Sequence, residues 1–144
     1  MRIFRFFVFP IILLSLIACK NSNKEVVIDE TWSNGKPKKT TEYITDKDGQ
    51  KRIFKQTMFH ENENKFMEGT FSEQQERDGK WTAWFENGKK NSEGTYVNGK
   101  EEGKYTVWYP NGKIRYTGYY KNGERNGKWK FYNEEGKLIN EIDY

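Results

Sequence analysis

Apolar and polar residues alternate with a period of two along most of the chain after residue 25. The clearest example is the segment GKYTVWYPNGKIRYTGYY at 103–120, where single residues separate Tyr105, Val107 and Tyr109. Such alternation is typical of β-strands with one buried face. An Asn-Gly pair at 111–112 ends this run, and Asn-Gly is a strong signal for a hairpin turn. The pattern therefore predicts an all-β chain of antiparallel hairpins.

Four of the five Asn-Gly pairs in the C-terminal half divide it into strands. We expect the pairs at 87–88 and 111–112 to form two-residue turns, which require positive φ. The pairs at 98–99 and 122–123 would then form the longer reversals. This arrangement predicts an elongated up-and-down meander of about ten strands, on the order of 45 Å long.

A repeat of 24 residues organises the same region. Gly79, Gly103 and Gly127 are 24 residues apart, and each begins a similar line of sequence. Weaker copies precede them, which suggests regular repeats over 79–144 and diverged hairpin repeats over 26–78. Residues 19–25 are polar and are expected to form a tether.

Aromatic residues are expected to form both the core and a candidate binding face. A single-layer sheet has no second layer to pack against, so rings on neighbouring strands must cover each other. Gly94 and Gly118, in mid-strand, would make room for such rings. Ile114 is expected beside Tyr116 on one face of its strand, and Leu138 on the matching face of the next copy. The candidate binding face lies on the opposite side and consists of Trp84, Trp108 and Tyr119.

Composition supports a folded β protein and argues against nucleic-acid binding. Of the 144 residues, 17% are aromatic and 32% are charged. Regularly spaced aromatic residues distinguish the chain from a disordered one. The formal net charge of +4 comes from scattered lysines, whereas a nucleic-acid site needs clustered Lys and Arg.

The first residues have the order of a secretory signal. Arg2 and Arg5 precede an apolar run from Phe6 to Ala18, which is too short to span a bilayer as a helix. The stretch Leu16-Ile17-Ala18-Cys19 resembles the lipobox of bacterial lipoproteins. That resemblance implies a cleaved signal peptide at 1–18, lipidation of Cys19 and attachment to the membrane through acyl chains such as palmitate. Free secretion is the alternative, and a permanent transmembrane anchor is a weaker one.

The regular copies resemble the variant MORN repeat. The matching residues are YVNGKEEGKYTVWYPNGK at 96–113 and YKNGERNGKWKFYNEEGK at 120–137. The resemblance implies an elongated sheet of hairpins that binds proteins or membrane components and has no known catalytic site. Bacterial proteins with this repeat are often of the YwqK antitoxin type.

Signals for chemistry are weak in this sequence. His60 is the single histidine, and a metal site needs several converging ligands, so we expect a solvated loop or edge residue. No phosphate-binding loop or nucleophile motif is found, and the paired glutamates fall at expected turns. The sequence therefore predicts no enzyme activity, catalytic residue, metal or cofactor.

The predicted function is a lipid-anchored envelope scaffold that binds a protein partner. The alternatives are an antitoxin-type neutraliser and a module that binds cell-wall glycan. Attachment to the cell membrane or outer membrane is expected, facing the periplasm in a Gram-negative organism. The sequence leaves the oligomeric state open.

Overall fold

The computed structural model describes residues 24–144 as one open sheet of ten antiparallel strands in sequence order. This confirms the prediction of an all-β meander of hairpins. The signal peptide at 1–18, Cys19 and residues 20–23 lie outside the described residues, and β1 includes the last two residues of the expected tether. The strands are β1 Lys24–Thr31, β2 Pro37–Thr45, β3 Lys51–Phe59, β4 Lys65–Phe71, β5 Arg77–Trp84, β6 Lys90–Val97, β7 Lys100–Trp108, β8 Ile114–Lys121, β9 Glu124–Tyr132 and β10 Leu138–Asp143.

The two turn types are the reverse of the prediction. The Asn87-Gly88 pair belongs to a three-residue loop, in which the Phe85 amide donates to the Lys89 carbonyl at 2.9 Å. Only Gly88 has positive φ there, at 78°, and the Asn87 carboxamide oxygen instead accepts a bond from the Lys89 amide at 3.0 Å. An Asn-Gly pair can therefore serve a three-residue loop as well as a two-residue turn.

The short turns fall at the other Asn-Gly pairs. Val97 pairs directly with Lys100 across Asn98 and Gly99, whose φ angles are 47° and 79°. Positive φ at both central residues is the requirement of a two-residue type I′ turn. Asn122 and Gly123 repeat this geometry with φ angles of 53° and 84°.

Each regular repeat places a ring over a glycine of the preceding strand. Residues 103–105 of β7 oppose Gly94 alone, because Glu93 pairs with Thr106 and Thr95 pairs with Glu102. This bulge brings the Tyr105 ring so close that a Cβ added to Gly94 would lie 2.4 Å from Tyr105 Cδ2. The same Cβ on Gly118 would lie 2.3 Å from Trp129 Cδ2. The expected role of Gly94 and Gly118 is confirmed, and Gly69 has the same role beneath Trp81.

The core lies on one side of the sheet, which we call the ring face. Trp129 is fully buried there, with 0% exposure. Its ring lies 5.0 Å from Tyr120, 6.0 Å from Tyr116 and 6.2 Å from Tyr144, measured between ring centroids. The Arg125 guanidinium lies 4.6 Å from the Trp129 ring centroid. The single-layer sheet is thus sealed by its own rings, as the aromatic spacing predicted.

In β1 to β3, the first strands of the diverged repeats, a polar contact replaces the ring and glycine pair. Thr41 stands in the strand position that Gly94 and Gly118 occupy later, and it is 1% exposed. Its hydroxyl donates to Asp29 Oδ2 at 2.5 Å and accepts a bond from Gln56 Nε2 at 3.2 Å. A buried hydroxyl with both bonds satisfied is well tolerated. This exchange explains why the aromatic spacing is weak over 26–78.

Candidate binding face

The side opposite the ring face carries a row of threonines and glutamates, and we call it the polar face. Neighbouring strands contribute residues directly opposite each other, and their side chains are linked. The Thr106 and Thr117 hydroxyls lie 3.0 Å apart, and the Thr57 hydroxyl donates to Glu68 Oε2 at 3.1 Å. Cross-strand pairs of this kind stabilise a sheet without an apolar core on that side.

Lysines neutralise the glutamates of the polar face. Lys90 Nζ lies 2.6 Å and Lys80 Nζ 3.4 Å from Glu93. The hydrogen bond from Lys90 lowers the pKa of Glu93, against the opposing effect of burial. Burial disfavours the charged form of Glu68, yet hydrogen bonds from Lys65 and Lys55 leave its pKa below the ordinary value. Both carboxylates are therefore structural ion-pair partners.

One border of the polar face is an apolar stripe next to the three-residue loops. Its members lie at the ends of β5 to β10 and form the cross-strand pairs Trp84 with Lys90, Trp108 with Ile114, and Tyr132 with Leu138. Lys65 Nζ lies 5.6 Å from the Trp84 ring centroid, and Lys90 Nζ 5.7 Å from that of Trp108. Six strands at about 4.8 Å give the stripe a length of roughly 24 Å. The stripe comprises Trp84, Lys90, Trp108, Ile114, Tyr132 and Leu138.

The structure places the three predicted binding residues on the polar face but in two places. Trp84 and Trp108 are half-buried members of the stripe on β5 and β7, with Lys90 of β6 between them. Tyr119 is 54% exposed and lies five residues along β8 from Ile114, which is roughly 15 Å at about 3.3 Å per residue. The row of threonines runs between them. Trp84 and Trp108 thus form one surface, and Tyr119 a separate one.

Sequence reasoning placed two members of the stripe on the wrong face. Ile114 was expected beside Tyr116, but a bulge lies between them, so that Trp108 pairs with Ile114 while Val107 pairs with Tyr116. The same irregularity brings Leu138 opposite Tyr132. Strict alternation fails at a bulge because one strand gains a residue. The three-residue loops could have predicted this shift of register, because a loop of that length with a left-handed glycine ends in such a bulge.

His60 has a structural position at the loop edge. Its Nε2 lies 3.1 Å from the Trp84 carbonyl oxygen, and its ring contacts Phe66 at a centroid distance of 5.2 Å. The ring is half-buried, not fully solvated as expected. Over residues 24–144, His, Cys, Asp and Glu side chains form no group of three suited to a metal ion.

The family described as MORN repeat variant matches residues 77–98, 101–122 and 125–144. Residues 77–144 therefore carry three MORN repeat variants, in the region where the 24-residue repeat is most regular. No curated protein matches the chain. In the described part of the chain, no helix has both the length and the apolar character needed to cross a membrane.

Proposed function

We propose that this protein is a non-enzymatic scaffold, anchored by lipid at the bacterial envelope, that binds a partner protein through the apolar stripe. The observation that carries the proposal is the stripe itself. Its half-buried rings lie on one side of an open sheet whose opposite side is already filled by the fold's own aromatic core. Repeat sheets of this kind are suited to binding, because stacked repeats create extended surfaces.

The second regular repeat, which contains β7 and β8, locates the centre of the proposed interface. On the polar face, β4 carries the ion pair of Lys65 with Glu68, and β6 carries that of Lys90 with Glu93. The corresponding positions in β8 carry Ile114 and Thr117. The Lys and Glu pair is thus absent on the β8 side of Trp108, whereas Lys90 remains on its β6 side. The centres of protein interfaces are depleted in charge and enriched in aromatic residues.

The proposed anchor is a lipid on Cys19. Its support is the segment Leu16-Ile17-Ala18-Cys19. The sheet starts at Lys24, so that only residues 20–23 separate the proposed lipid on Cys19 from β1. Two or three acyl chains give stable attachment, whereas one gives only marginal attachment. The protein would face the periplasm in a Gram-negative organism. Loss of labelled palmitate and of membrane association in Cys19→Ser tests this step.

Site-specific photo-cross-linking in cells tests the proposed interface. A benzophenone side chain at position 84 or 108 should capture the same partner, identified by mass spectrometry, while the same group at Ile142 on the ring face should not. Ile142 is a matched control because it is 38% exposed. Equal capture from both faces, or no adduct from the stripe, would contradict the proposal.

A charge-restoring variant tests the centre of the stripe. The double variant Ile114→Lys, Thr117→Glu copies the pair found in β4 and β6 and should leave the fold unchanged. Binding of the captured partner should weaken about 30-fold or more, as expected when about 2 kcal/mol of central contact is lost. Unchanged affinity would refute the assignment of Trp108 and Ile114 to the interface.

A shallow depression on the polar face favours glycan as a second candidate ligand. Its volume is about 340 Å³, and Trp108 and Ile114 line it together with Thr95, Thr106, Glu93 and lysines. An apolar ring beside a few polar groups is typical of small-ligand sites. Peptidoglycan fragments should then quench the fluorescence of wild-type protein but not of Trp108→Phe. An antitoxin role would be the special case in which the protein partner is toxic, and growth after deletion of this gene tests it.

A further inference from the structure

We propose a second binding site, for a small aromatic carboxylate, in the diverged repeats. A cavity of about 310 Å³ lies beside the β1–β2 and β3–β4 loops. Lys39 and Met58 contribute from the ring face, opposite the apolar stripe, so the site is separate from the proposed protein interface. Ligand sites commonly begin at about this volume. The residues used below are Trp32, Lys39, Met58, His60 and Phe66.

The walls of the cavity are held open by hydrogen bonds to neighbouring hairpins. Trp32 Nε1 donates to the Phe59 carbonyl oxygen at 3.3 Å, and His60 Nε2 lies 3.1 Å from the Trp84 carbonyl oxygen. The His60 ring in turn meets the Phe66 ring edge-on. Because these polar ring atoms are already bonded to the backbone, the rings are preorganised, which lowers the ordering cost of binding a ligand.

Phe66 leaves apolar surface available in this cavity. Its side chain is 44% exposed although it lies in a strand. Beside Phe66, one cross-strand row of the ring face contains Lys39 and Met58. Further along this row, in the regular repeats, Tyr116 and Phe131 fill the corresponding space, with ring centroids 5.9 Å apart. An aromatic ligand would supply the ring that the later repeats provide themselves.

The charge of the cavity favours an anion. Lys38 is paired with Glu30 at 3.3 Å, and Lys36 is paired with Glu63 at 2.6 Å. Lys39 is half-buried in β2, and its side-chain ammonium forms no ion pair or hydrogen bond with the residues of 24–144. A partly buried ammonium gains most from a carboxylate that accepts its hydrogen bond. An apolar wall with one unpaired ammonium thus selects a ring that carries a carboxylate.

Calorimetric titration of the purified full chain with indole-3-propionate tests the proposal. We expect saturable, sub-millimolar binding, with amide shift changes at Lys39, Met58 and Phe66 and none at Trp129. Indole, which lacks the carboxylate, and tryptamine, which carries a positive charge, should bind more weakly. Absence of saturation, or shift changes centred on the regular repeats, would overturn the proposal.

Three variants separate a binding role from a structural one. Lys39→Met should raise the Kd for indole-3-propionate about tenfold or more while leaving that for neutral indole unchanged. Lys39→Arg keeps the charge and should retain binding. Lys104→Met removes an exposed lysine of β7 and serves as the matched control. Equal effects of Lys39→Met and Lys104→Met would contradict the assignment.

Discussion

Substitution of Gly118 by alanine tests whether stacking of rings on glycines holds the sheet together. Gly118 does not have positive φ, so an alanine there is compatible with the backbone. If there were no steric clash, the change should stabilise the protein by about 0.4–1 kcal/mol, because alanine lowers the conformational entropy of the unfolded chain. The added Cβ would, however, lie 2.3 Å, 2.4 Å and 2.5 Å from Trp129 Cδ2, Cε2 and Cγ.

The magnitude follows from how little the Trp129 ring can move. Carbon atoms in contact lie about 3.5–4.0 Å apart, so the ring must retreat by more than about 1 Å. Trp129 is fully buried and enclosed by Tyr116, Tyr120 and Tyr144. Overpacking of such a site costs about 1–3 kcal/mol. We therefore expect Gly118→Ala to lower the free energy of unfolding by about 2 kcal/mol.

A double-mutant cycle identifies the cause. Trp129→Ala alone should cost about 3–5 kcal/mol, and adding Gly118→Ala to it should cost nothing more or restore a little stability. Urea unfolding followed by circular dichroism measures all four proteins. Additive losses would refute the steric explanation, as would a change below about 0.5 kcal/mol for Gly118→Ala alone. Gly94→Ala should cost less, because Tyr105 is only half-buried and can move.

Two further predictions concern charge and loop geometry. The hydrogen bond from Lys90 lowers the pKa of folded Glu93 below 4.5, so its stabilising contribution is complete above that pH and is lost as pH falls through the lowered value. Glu93→Gln should flatten the fall in urea midpoint between about pH 5 and pH 3, and an unchanged slope would contradict this. Glu63 has a φ of 68° at the loop position that corresponds to Gly88. Glu63→Gly should therefore raise the free energy of unfolding by about 1 kcal/mol, reduced by whatever its exposed ion pair with Lys36 contributes. Gly88→Ala should have the opposite sign, and a loss of stability in Glu63→Gly would show that the ion pair outweighs the backbone strain.

The fold was predictable because its signals are local and periodic. Alternation predicts the strands, and the mid-strand positions of Gly94 and Gly118, 24 residues apart, predict that both lie beneath rings of the adjacent strand. The loop types were not predictable from Asn-Gly pairs alone, because the Asn87 side chain caps a three-residue loop whereas Asn98 itself takes positive φ. That distinction depends on the pairing register of the strands, which a pair of residues does not encode.

The candidate site was only partly predictable, for the same reason. Trp84 and Trp108 share a position in the repeat, so their common face followed from spacing. Ile114 joins them only because a bulge shifts the register of β8. The Lys39 cavity depends on contacts between residues from β2 and the β3–β4 loop, which lie about twenty positions or more apart along the chain. Periodicity carries no information about such a departure from the repeat.

An uneven distribution of packing follows from this architecture and bears on both proposed sites. The regular repeats bury the rings of Trp81 and Trp129 and half-bury that of Tyr105, and a ring that buries about 150–250 Å² contributes on the order of 4–6 kcal/mol as an upper estimate. In the diverged repeats the polar contact of Thr41 with Asp29 and Gln56 takes that place, and Val26 and Ile28 remain 64% and 55% exposed. A satisfied buried hydrogen bond contributes only about 1 kcal/mol. The strands around Lys39 should therefore open at lower free energy than those around Trp129, and ligand-binding segments are commonly drawn from the less stable parts of a fold. The part of the stripe formed by Trp84 and Trp108, in contrast, lies on β5 and β7, whose other side contains the buried Trp81 and Val107, which suits a rigid surface that recognises a protein.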